Sequence, residues 1–520
     1  MKLTHTYTQT PLKLMFLAFA TPLLLAACAT SGISVPTAET PASQWYSPLP
    51  SNAGATSAQK SSTLPSSQQL PHAGSLAELN QWWQSLGDPL LVELISSAQA
   101  VSPTITAATS RLQQARSVGV AAGAALLPNA GLAASSTRTM NPLSVPVLAT
   151  VSQVGLQANW ELDLFGGNRA ARDAALARVD GSAAMWHEAR VSVAAEVATT
   201  YLNLRTCEQL MAVAKEDLAS RSETSRLTGL TADAGFTAPA NAALARASAA
   251  QSQSNLSLQR TQCEMYIKVL VALTALQEPI LRQKLAVAGK YIDELAIKSI
   301  AQSDRIETPA LPLVPSLPAQ LLLQRPDVFA AERELAAASG DVGSAQAARY
   351  PRLSLSGSIA AARVVTGGVS VDGNTWSIGP LSLTLPLFDG GRLAANVDAA
   401  QARYIDAAAN YRAKVRNAVR EVEEALLNLQ STAERNEAAN IATDGYAAAF
   451  NASEARYKSG LGSLADLEDT RRTALAAKTA LLNLQRERSA AWIALYRATG
   501  GGWQQATSSA TELSQVIVSK

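Results

Sequence analysis

The stretch Leu164-Phe165-Gly166-Gly167-Asn168-Arg169 returns later in the chain as Leu387-Phe388-Asp389-Gly390-Gly391-Arg392, an offset of 223 residues (164 to 387). Other landmarks recur in the same order. Pro103 and Pro128 match Pro326 and Pro351 at the same offset, and Gly235 matches Gly460 at an offset of 225 (235 to 460). Ordered self-similarity at one period indicates a tandem repeat. The chain therefore contains two copies of one unit.

Each copy begins with a helix and continues with strands. A proline suits the first position of a helix, and the second proline ends it. Apolar and polar residues then alternate from Val154 to Leu164, and less regularly from Ile378 to Leu387. Period-two alternation predicts strands with one apolar and one polar face. The pattern fits half-buried strands of a soluble protein, and it also fits barrel strands between lipid and water.

A very long helix follows the glycine pair in each copy. The pairs Gly166-Gly167 and Gly390-Gly391 permit a sharp backbone corner. No proline occurs in residues 168–232 or 392–459. At about 1.5 Å per residue each stretch extends roughly 100 Å, which requires a coiled-coil arrangement. The expected seam of the second copy alternates steps of four and three: Tyr404, Ala408, Tyr411, Val415, Ala418, Val422, Ala425 and Leu429.

Both long helices are expected to reverse at a glycine-containing tip and return as a second helix. Cys207 lies 28 residues before Gly235 (235 − 207), and Cys263 lies 28 residues after it (263 − 235). An antiparallel hairpin that turns at Gly235 places the two cysteines side by side. We therefore predict a disulfide between them, which an oxidising compartment would favour. Two unpaired helix cysteines are the alternative.

The N-terminus reads as a secretion signal. Lys2 and Lys13 supply positive charge, and the apolar run at 14–25 is too short to span a bilayer. The run ends in Leu25-Ala26-Ala27-Cys28, which matches a bacterial lipobox. We expect cleavage before Cys28 and a lipid on that cysteine, although an ordinary signal with a chance cysteine is the alternative. Ala29, by resemblance to other lipoproteins, favours transfer to the outer membrane.

The composition disfavours a nucleic-acid partner and an enzyme. The chain has 43 Lys+Arg against 41 Asp+Glu and no marked basic run. Of the three histidines, His5 lies in the signal, His72 precedes the first repeat and His187 lies on a helix. The sequence shows no metal-ligand spacing, nucleophile elbow or phosphate-binding loop. We expect no catalysis, no metal and no cofactor apart from the lipid on Cys28.

The predicted organisation has six parts. They are a signal peptide (1–27), a lipidated tether (28–80), a first repeat (81–300), a proline-rich joint (301–325), a second repeat (326–503) and a flexible tail (504–520). The joint carries a proline at every third position from Pro309 to Pro318, which favours a polyproline II spacer.

Four stretches resemble the TolC-like outer-membrane efflux family, in its lipoprotein branch. They are residues 82–89, 317–327, 386–392 and 495–503, and the resemblance covers about residues 80 to 503. The resemblance implies a mainly α-helical homotrimer. Each chain would supply four strands to a twelve-stranded barrel in the outer membrane and two hairpins to a twelve-helix periplasmic barrel.

The same resemblance implies a function. The trimer would be the exit duct of a tripartite pump, exporting small molecules such as drugs. It would receive them from a periplasmic adaptor and an inner-membrane pump of the resistance-nodulation-division type. A channel of a type I protein-secretion system is the alternative. A pore-free coiled-coil spacer is a third possibility, which the alternating strands disfavour.

The second tip matches the family's periplasmic gate region through Tyr457, Gly460, Gly462 and Asp466. In the family the carboxylate at the position of Asp466 can line the constriction. Asp466 also suits the first turn of a helix, where the helix dipole favours a carboxylate. Both interpretations stay open here.

Two further observations concern the tips. Arg456 and Arg471 are candidates for ion pairs that hold the tip shut, although exposed pairs of this kind are usually weak. The first tip carries Asn241 where the second carries Asp466, and Pro239 lies beside it. A gate that is symmetric between the two tips is therefore not expected.

Overall fold

The computed structural model describes residues 46–47, 83–84, 88–140, 148–288 and 325–503. The predicted signal peptide, Cys28, most of the tether, most of the proline-rich joint and the tail lie outside the described residues. Within them the chain is mainly α-helical with one four-stranded sheet, as expected.

From Pro103 and from Pro326 onward, the two repeats follow the same order of elements, and α1 is an additional helix before the first repeat's copy of that order. The first repeat has helices α1 (Pro89–Val101) and α2 (Pro103–Ala124), strands β1 (Asn129–Met140) and β2 (Leu148–Leu162), and helices α3 (Gly167–Asp233) and α4 (Pro239–Thr274). The second has α5 (Pro326–Ala347), β3 (Arg352–Thr366), β4 (Val369–Thr384), α6 (Arg392–Lys458) and α7 (Leu464–Ala498). A helical segment also covers residues 278–288, and a 3-10 turn covers Gly500–Gly502.

The long helices are as long as the absence of proline predicts. α3 and α6 each contain 67 residues, or roughly 100 Å at about 1.5 Å per residue. None of the described helices is by itself long and apolar enough to cross a membrane. α1 and α2, which are bent by 49°, meet that test only as a pair, by length and composition.

The sheet has the order β1-β2-β3-β4, and every neighbouring pair is antiparallel. Its register alternates side chains between two faces. Leu132 lies opposite Leu156, Leu156 opposite Ile359, and Ile359 opposite Trp376. Among the described strands, β1 and β4 each have one partner, so the sheet has two open edges.

The chain divides into two compact units that do not follow the repeats. Of the described residues, one unit includes 111–140, 148–182 and 330–412, and the other includes 88–110, 183–288, 325–329 and 413–503. Each unit therefore combines segments of both repeats, because α3 and α6 both run through the two.

Close helix packing holds the unit that contains the sheet. A Cβ added at Gly340 of α5 would lie 2.9 Å from the Ala170 carbonyl oxygen and 3.0 Å from the Ala174 Cβ of α3. Such distances are too short for a side chain, so glycine is what lets these helices approach. Leu335, Ala338 and Val342 of α5 form a buried cluster with α6 residues that include Ala400, Tyr404, Ala407 and Ala408.

The predicted seam of α6 is confirmed. All of its members except Tyr411 are buried, and Tyr411 is partly buried. In the second unit, Val422, Ala425, Leu426 and Leu429 pack with Ala491 and Leu495 of α7. The small alanine side chains let the two helices of the hairpin pack closely.

Cys207 of α3 and Cys263 of α4 form the predicted disulfide, with their Cα atoms 5.6 Å apart. Both cysteines belong to a large buried cluster that also includes Leu204, Ile267 and Leu270. The disulfide therefore cross-links the first hairpin inside its own apolar core. Within the described part of the chain, α6 and α7 contain no cysteine, so the second hairpin has no such cross-link.

Replacing both cysteines by serine should lower the melting temperature of the purified protein. The disulfide closes a 56-residue separation, and the chain-entropy model assigns such a loop a stabilisation of roughly 4 kcal/mol at most. Circular dichroism at 222 nm measures the change. Reductant should lower the melting temperature of the natural protein and leave that of the double variant unchanged; an equal effect on both would contradict the assignment.

Candidate functional site

At the two corners between the sheet and the long helices, three of the four predicted glycines adopt a left-handed backbone conformation. Gly166 has φ +75°, Gly390 +69° and Gly391 +91°. Gly167 is different, because it already begins α3. A Cβ on Gly167 would lie 3.0 Å from the Ala347 Cβ. Its role is therefore close packing against the end of α5 and not the turn itself, which corrects the expectation for this residue.

An aspartate caps each long helix at the corner. The Asp163 carboxylate accepts hydrogen bonds from the backbone N–H groups of Asn168 (3.1 Å) and Arg169 (2.9 Å). The Asp389 carboxylate accepts those of Gly391 (3.0 Å) and Leu393 (2.8 Å). These bonds satisfy N–H groups that lack helical partners. Neither aspartate was predicted as a cap from the sequence, although an acidic residue just before a long helix is a recognisable signal.

One face of the sheet exposes large apolar side chains. Trp376 and Ile378 of β4 are 75% and 82% exposed. The register places them on the same face as other exposed apolar residues, namely Leu132, Val154, Leu156, Ile359, Leu381 and Leu383. Nothing in the chain covers this face within the described residues. A face of this kind needs an apolar environment.

The opposite face of the sheet is polar and small. It carries Ser, Thr, Gly, Ala, Gln and Asn over most of its length, for example Gln153, Gln157, Ser358, Ser377 and Thr375. The Ser358 and Ser377 hydroxyls lie 2.9 Å apart across β3 and β4. One sheet therefore presents an apolar surface and a water-compatible surface back to back.

The two hairpin tips share one backbone motif. Gly235 and Gly460 are left-handed, with φ +78° and +76°. The N–H groups that follow them close the helix ends: Phe236 donates to the Thr231 carbonyl at 2.8 Å, and Leu461 donates to the Arg456 carbonyl at 2.9 Å. This is the Schellman ending of a helix. Phe236 and Leu461 nevertheless stay 86% and 76% exposed.

The second tip is built more tightly than the first. The Ser463 hydroxyl caps α7 by accepting the Asp466 N–H at 3.0 Å, whereas Ala238 at the start of α4 has no side-chain cap. Asp466 lies in the first turn of α7 and is exposed. A Cβ on Gly462 would lie 3.1 Å from the Tyr457 backbone nitrogen, so this glycine allows a close turn.

Near the tips, a polar cluster that we call the tip network joins the two hairpins. At its centre, Arg471 of α7 has a side chain only 3% exposed. Its Nη2 donates to the hydroxyls of Ser220 and Thr224 on α3, both at 3.0 Å, and its Nη1 pairs with Glu468. Burial lowers the pKa of the Arg471 guanidinium, and the nearby Glu468 carboxylate opposes that effect.

A second arginine extends the tip network. Arg221 of α3 bonds the Asp217 carboxylate at 2.9 Å and reaches across to Glu468 of α7 at 2.5 Å. Ser248 of α4 donates to the same Glu468 carboxylate at 2.9 Å. The Glu468 carboxylate therefore accepts hydrogen bonds from side chains on three helices, and it balances part of the positive charge of Arg221 and Arg471.

Two further hydroxyl contacts complete the tip network. The Thr228 hydroxyl of α3 lies 2.7 Å from the Tyr457 hydroxyl of α6. Ser220 donates to Glu454 of α6 at 3.4 Å. α3 is thus bonded to both helices of the second hairpin. Any movement of the second hairpin away from α3 must break these contacts.

The structure separates the predicted tip residues into two groups. Arg471 and Tyr457 belong to the tip network, while Arg456 is exposed and has no carboxylate partner in the described ranges. Arg221, Glu468 and the hydroxyl-bearing residues of α3 were not predicted from the sequence. Ser220, Thr224 and Thr228 follow one another at every fourth position, which is the visible signal of a polar stripe on one face of a helix.

Comparison with known proteins agrees with these features. The family model "Outer membrane efflux protein" matches residues 94–275 and 317–501. The pyoverdine export outer membrane protein OpmQ of Pseudomonas putida is 30% identical over 504 residues, covering 95% of this chain and 97% of OpmQ. The solvent efflux pump outer membrane protein SrpC of Pseudomonas putida is 28% identical, covering 80% of this chain and 86% of SrpC.

A solved structure shows the same fold. The MtrE outer membrane channel of Neisseria gonorrhoeae, crystallised in its open state, is 28% identical and superposes with a TM-score of 0.65, covering 80% of this chain and 90% of MtrE. The family model matches more than half of the chain, in two segments that each cover most of one repeat, and the second segment begins in the joint. The chain therefore belongs to the outer membrane efflux protein family.

Proposed function

We propose that three copies of this chain form the exit duct of a tripartite efflux pump. The duct passes small molecules from a periplasmic adaptor and an inner-membrane pump of the resistance-nodulation-division type to the outside. Its sheets form a twelve-stranded barrel in the outer membrane, and its hairpins form a twelve-helix barrel in the periplasm. The duct is passive: it catalyses no reaction and uses no metal or cofactor.

The observation that carries this proposal is the two-faced sheet. From Leu353 to Ala361 the apolar face of β3 runs roughly 26 Å along the strand at about 3.3 Å per residue. At a strand tilt of about 40° this gives roughly 20 Å of height, near the apolar band of about 25 Å in outer-membrane barrels. The polar face suits a water-filled bore. The two open edges require further copies, because lipid does not tolerate unpaired strands.

The hairpin tips suit contact with the adaptor. Phe236 and Leu461 follow the tip glycines at equivalent places in the two repeats, and both are largely exposed. Schellman endings usually bury the apolar side chain at this position against the helix. Their exposure supports a partner surface at both tips, and we assign that surface to the periplasmic adaptor.

The tip network supports a closed resting state. Its hydrogen bonds tie α3 to α6 and α7, and their loss separates the two hairpins. Adaptor binding favours the open arrangement only if the adaptor binds that arrangement more tightly. The export of small molecules is supported by the names of two relatives, a solvent efflux protein and a pyoverdine export protein.

Arg471→Ala should open the duct. The change removes charged hydrogen bonds that bridge the hairpins, each worth about 1.5–3 kcal/mol, and 1.4 kcal/mol corresponds to a tenfold change in an equilibrium. We expect the open fraction in planar bilayers to rise at least about tenfold. Arg472→Ala is the matched control, because Arg472 is exposed and pairs with Asp469 on its own helix. Equal effects of both changes would contradict the gate, and absence of any pore would contradict the duct.

Asp466→Asn should reduce the preference of the pore for cations. Three Asp466 carboxylates around the axis concentrate negative charge at the inner mouth. Reversal potentials in a salt gradient measure the cation-to-anion permeability ratio, which should fall toward unity. Asp469→Asn is the control, since Asp469 is exposed on the same helix but pairs with Arg472. If only the stability of α7 changes in Asp466→Asn, the carboxylate is a helix-start residue and does not line the pore.

We also propose that the chain is lipid-anchored through Cys28 in the outer membrane. The support is the Leu25-Ala26-Ala27-Cys28 sequence after a short apolar run. Cys28→Ser should abolish labelling by radioactive palmitate in growing cells. Cys207→Ser should keep full labelling, because that cysteine is buried in a disulfide. Labelling that survives in Cys28→Ser would rule out this anchor.

A further inference from the structure

A row of valines crosses three strands of the sheet. Val151 of β2 lies opposite Val364 of β3, and Val364 lies opposite Val371 of β4. Side chains that lie directly opposite each other in neighbouring strands point to the same face. These three residues, which we call the valine row, therefore form one apolar strip. Val371 is 63% exposed, and the other two valines are partly exposed.

The valine row lies at the end of the sheet that is farthest from the corners. Val364 precedes Gly367 of the β3–β4 turn by three residues (367 − 364), and Val371 follows Gly368 by three (371 − 368). β3 begins twelve residues before Val364, at Arg352 (364 − 352), which is roughly 40 Å at about 3.3 Å per residue. In the proposed duct the helices extend into the periplasm, so the turn end of the sheet is its outer mouth.

The valine row belongs to the polar face of the sheet. Val151 lies two positions from Gln153, and Val364 lies six positions from Ser358; an even number of steps keeps a strand residue on the same face. The next two rows toward the corners hold small or polar residues: Ser135, Gln153, Ala362 and Gly373, then Ala133, Gly155, Ala360 and Thr375. None of these three rows carries a charged side chain. Among them, the valine row has the largest apolar surface.

At the same level, the opposite face of the sheet changes from apolar to polar. The Ser152 hydroxyl lies 2.9 Å from the Ser136 hydroxyl. Arg363 binds the Asp372 carboxylate through two hydrogen bonds, at 2.6 and 2.8 Å. The apolar band on the outer face therefore ends before this level. Lipid hydrocarbon does not account for the valine row, because the three valines point to the other face. In the described part of the chain they belong to no hydrophobic cluster.

We propose that the valine row is a contact site for the apolar groups of exported molecules at the outer mouth of the duct. The inference rests on the proposed exit duct and adds a class of solute that its wall favours. Three subunits place three valines each around the bore. An apolar group that touches them removes apolar surface from water, which is favourable in proportion to the area covered. A hydrophilic solute gains nothing from this contact.

The site is shallow, and this suits an exit. A water-filled bore offers an apolar solute no apolar surroundings, and the valine row supplies them on one side only. Conduction requires binding that is favourable enough for entry and weak enough for release. Since the three rows carry no charge, the contact does not select between cationic and anionic solutes. The solute it favours is defined by apolar surface.

Block of single open channels in planar bilayers tests the site. The probe is tetraphenylphosphonium, added on the outer side, and its control is tetramethylammonium, which has the same charge and no rings. Val151→Thr, Val364→Thr and Val371→Thr together keep the shape of each side chain and replace a methyl group by a hydroxyl. We expect the tetraphenylphosphonium block times to shorten at least about fourfold, the factor that one buried methyl group contributes. Tetramethylammonium should behave alike in both proteins.

Two adjacent positions provide the matched pair. Val364→Thr changes the bore side, whereas Val365→Thr changes the outer face one residue away. Only Val364→Thr should shorten the block, and this pair decides if the triple variant forms no channel. Equal block times in the natural protein and in Val364→Thr, or equal block by the two cations, overturn the contact site and leave the exit duct standing. Absence of any channel in the natural protein overturns both proposals.

Discussion

A strand whose outer side chains are apolar needs apolar surroundings, and in such surroundings every backbone N–H and C=O group needs a hydrogen-bond partner. β2 and β3 meet this demand inside the chain, since each has a neighbour on both sides. β1 and β4 do not. The sheet that joins the two repeats therefore leaves a single chain incomplete. The polar face can line a bore only when the two open edges are paired.

At each corner the chain passes from the sheet into a long helix. Left-handed glycines turn the chain, and Asp163 and Asp389 cap the helices that follow. The two aspartates come from non-equivalent places in the repeats (163 + 223 is 386, a proline). The same physical need, partners for the first N–H groups of a helix, was thus met twice by different residues. Gly340 and the alanine seams then set how closely the helices approach.

Toward the tips the balance of forces differs between the hairpins. The first hairpin is cross-linked through its core by Cys207–Cys263, so α3 is tied covalently to α4. Near its tip the second hairpin is bonded to α3 by hydrogen bonds and charge, centred on Arg471. Burying a guanidinium carries a desolvation cost that its partners only partly offset, and this cost lowers the pKa of Arg471. A contact of this kind is specific in geometry yet modest in net free energy, which suits a closed state that a partner must open.

The repeat, the order of helix, strands and hairpin within each copy, the α6 seam and the Cys207–Cys263 pairing could be predicted from the residues alone. They follow from periodicity, proline placement and distance along one hairpin. Each of those signals depends on neighbouring residues or on the number of residues between two positions. Three features became known from the folded chain: Gly167 packs against α5 instead of turning, Arg471 is buried while Arg456 is exposed, and Glu468 accepts hydrogen bonds from Arg221 and Ser248. These facts depend on which face of one long helix meets another, and a residue's neighbours across two hairpins are set by packing of the whole chain rather than by its own sequence neighbours.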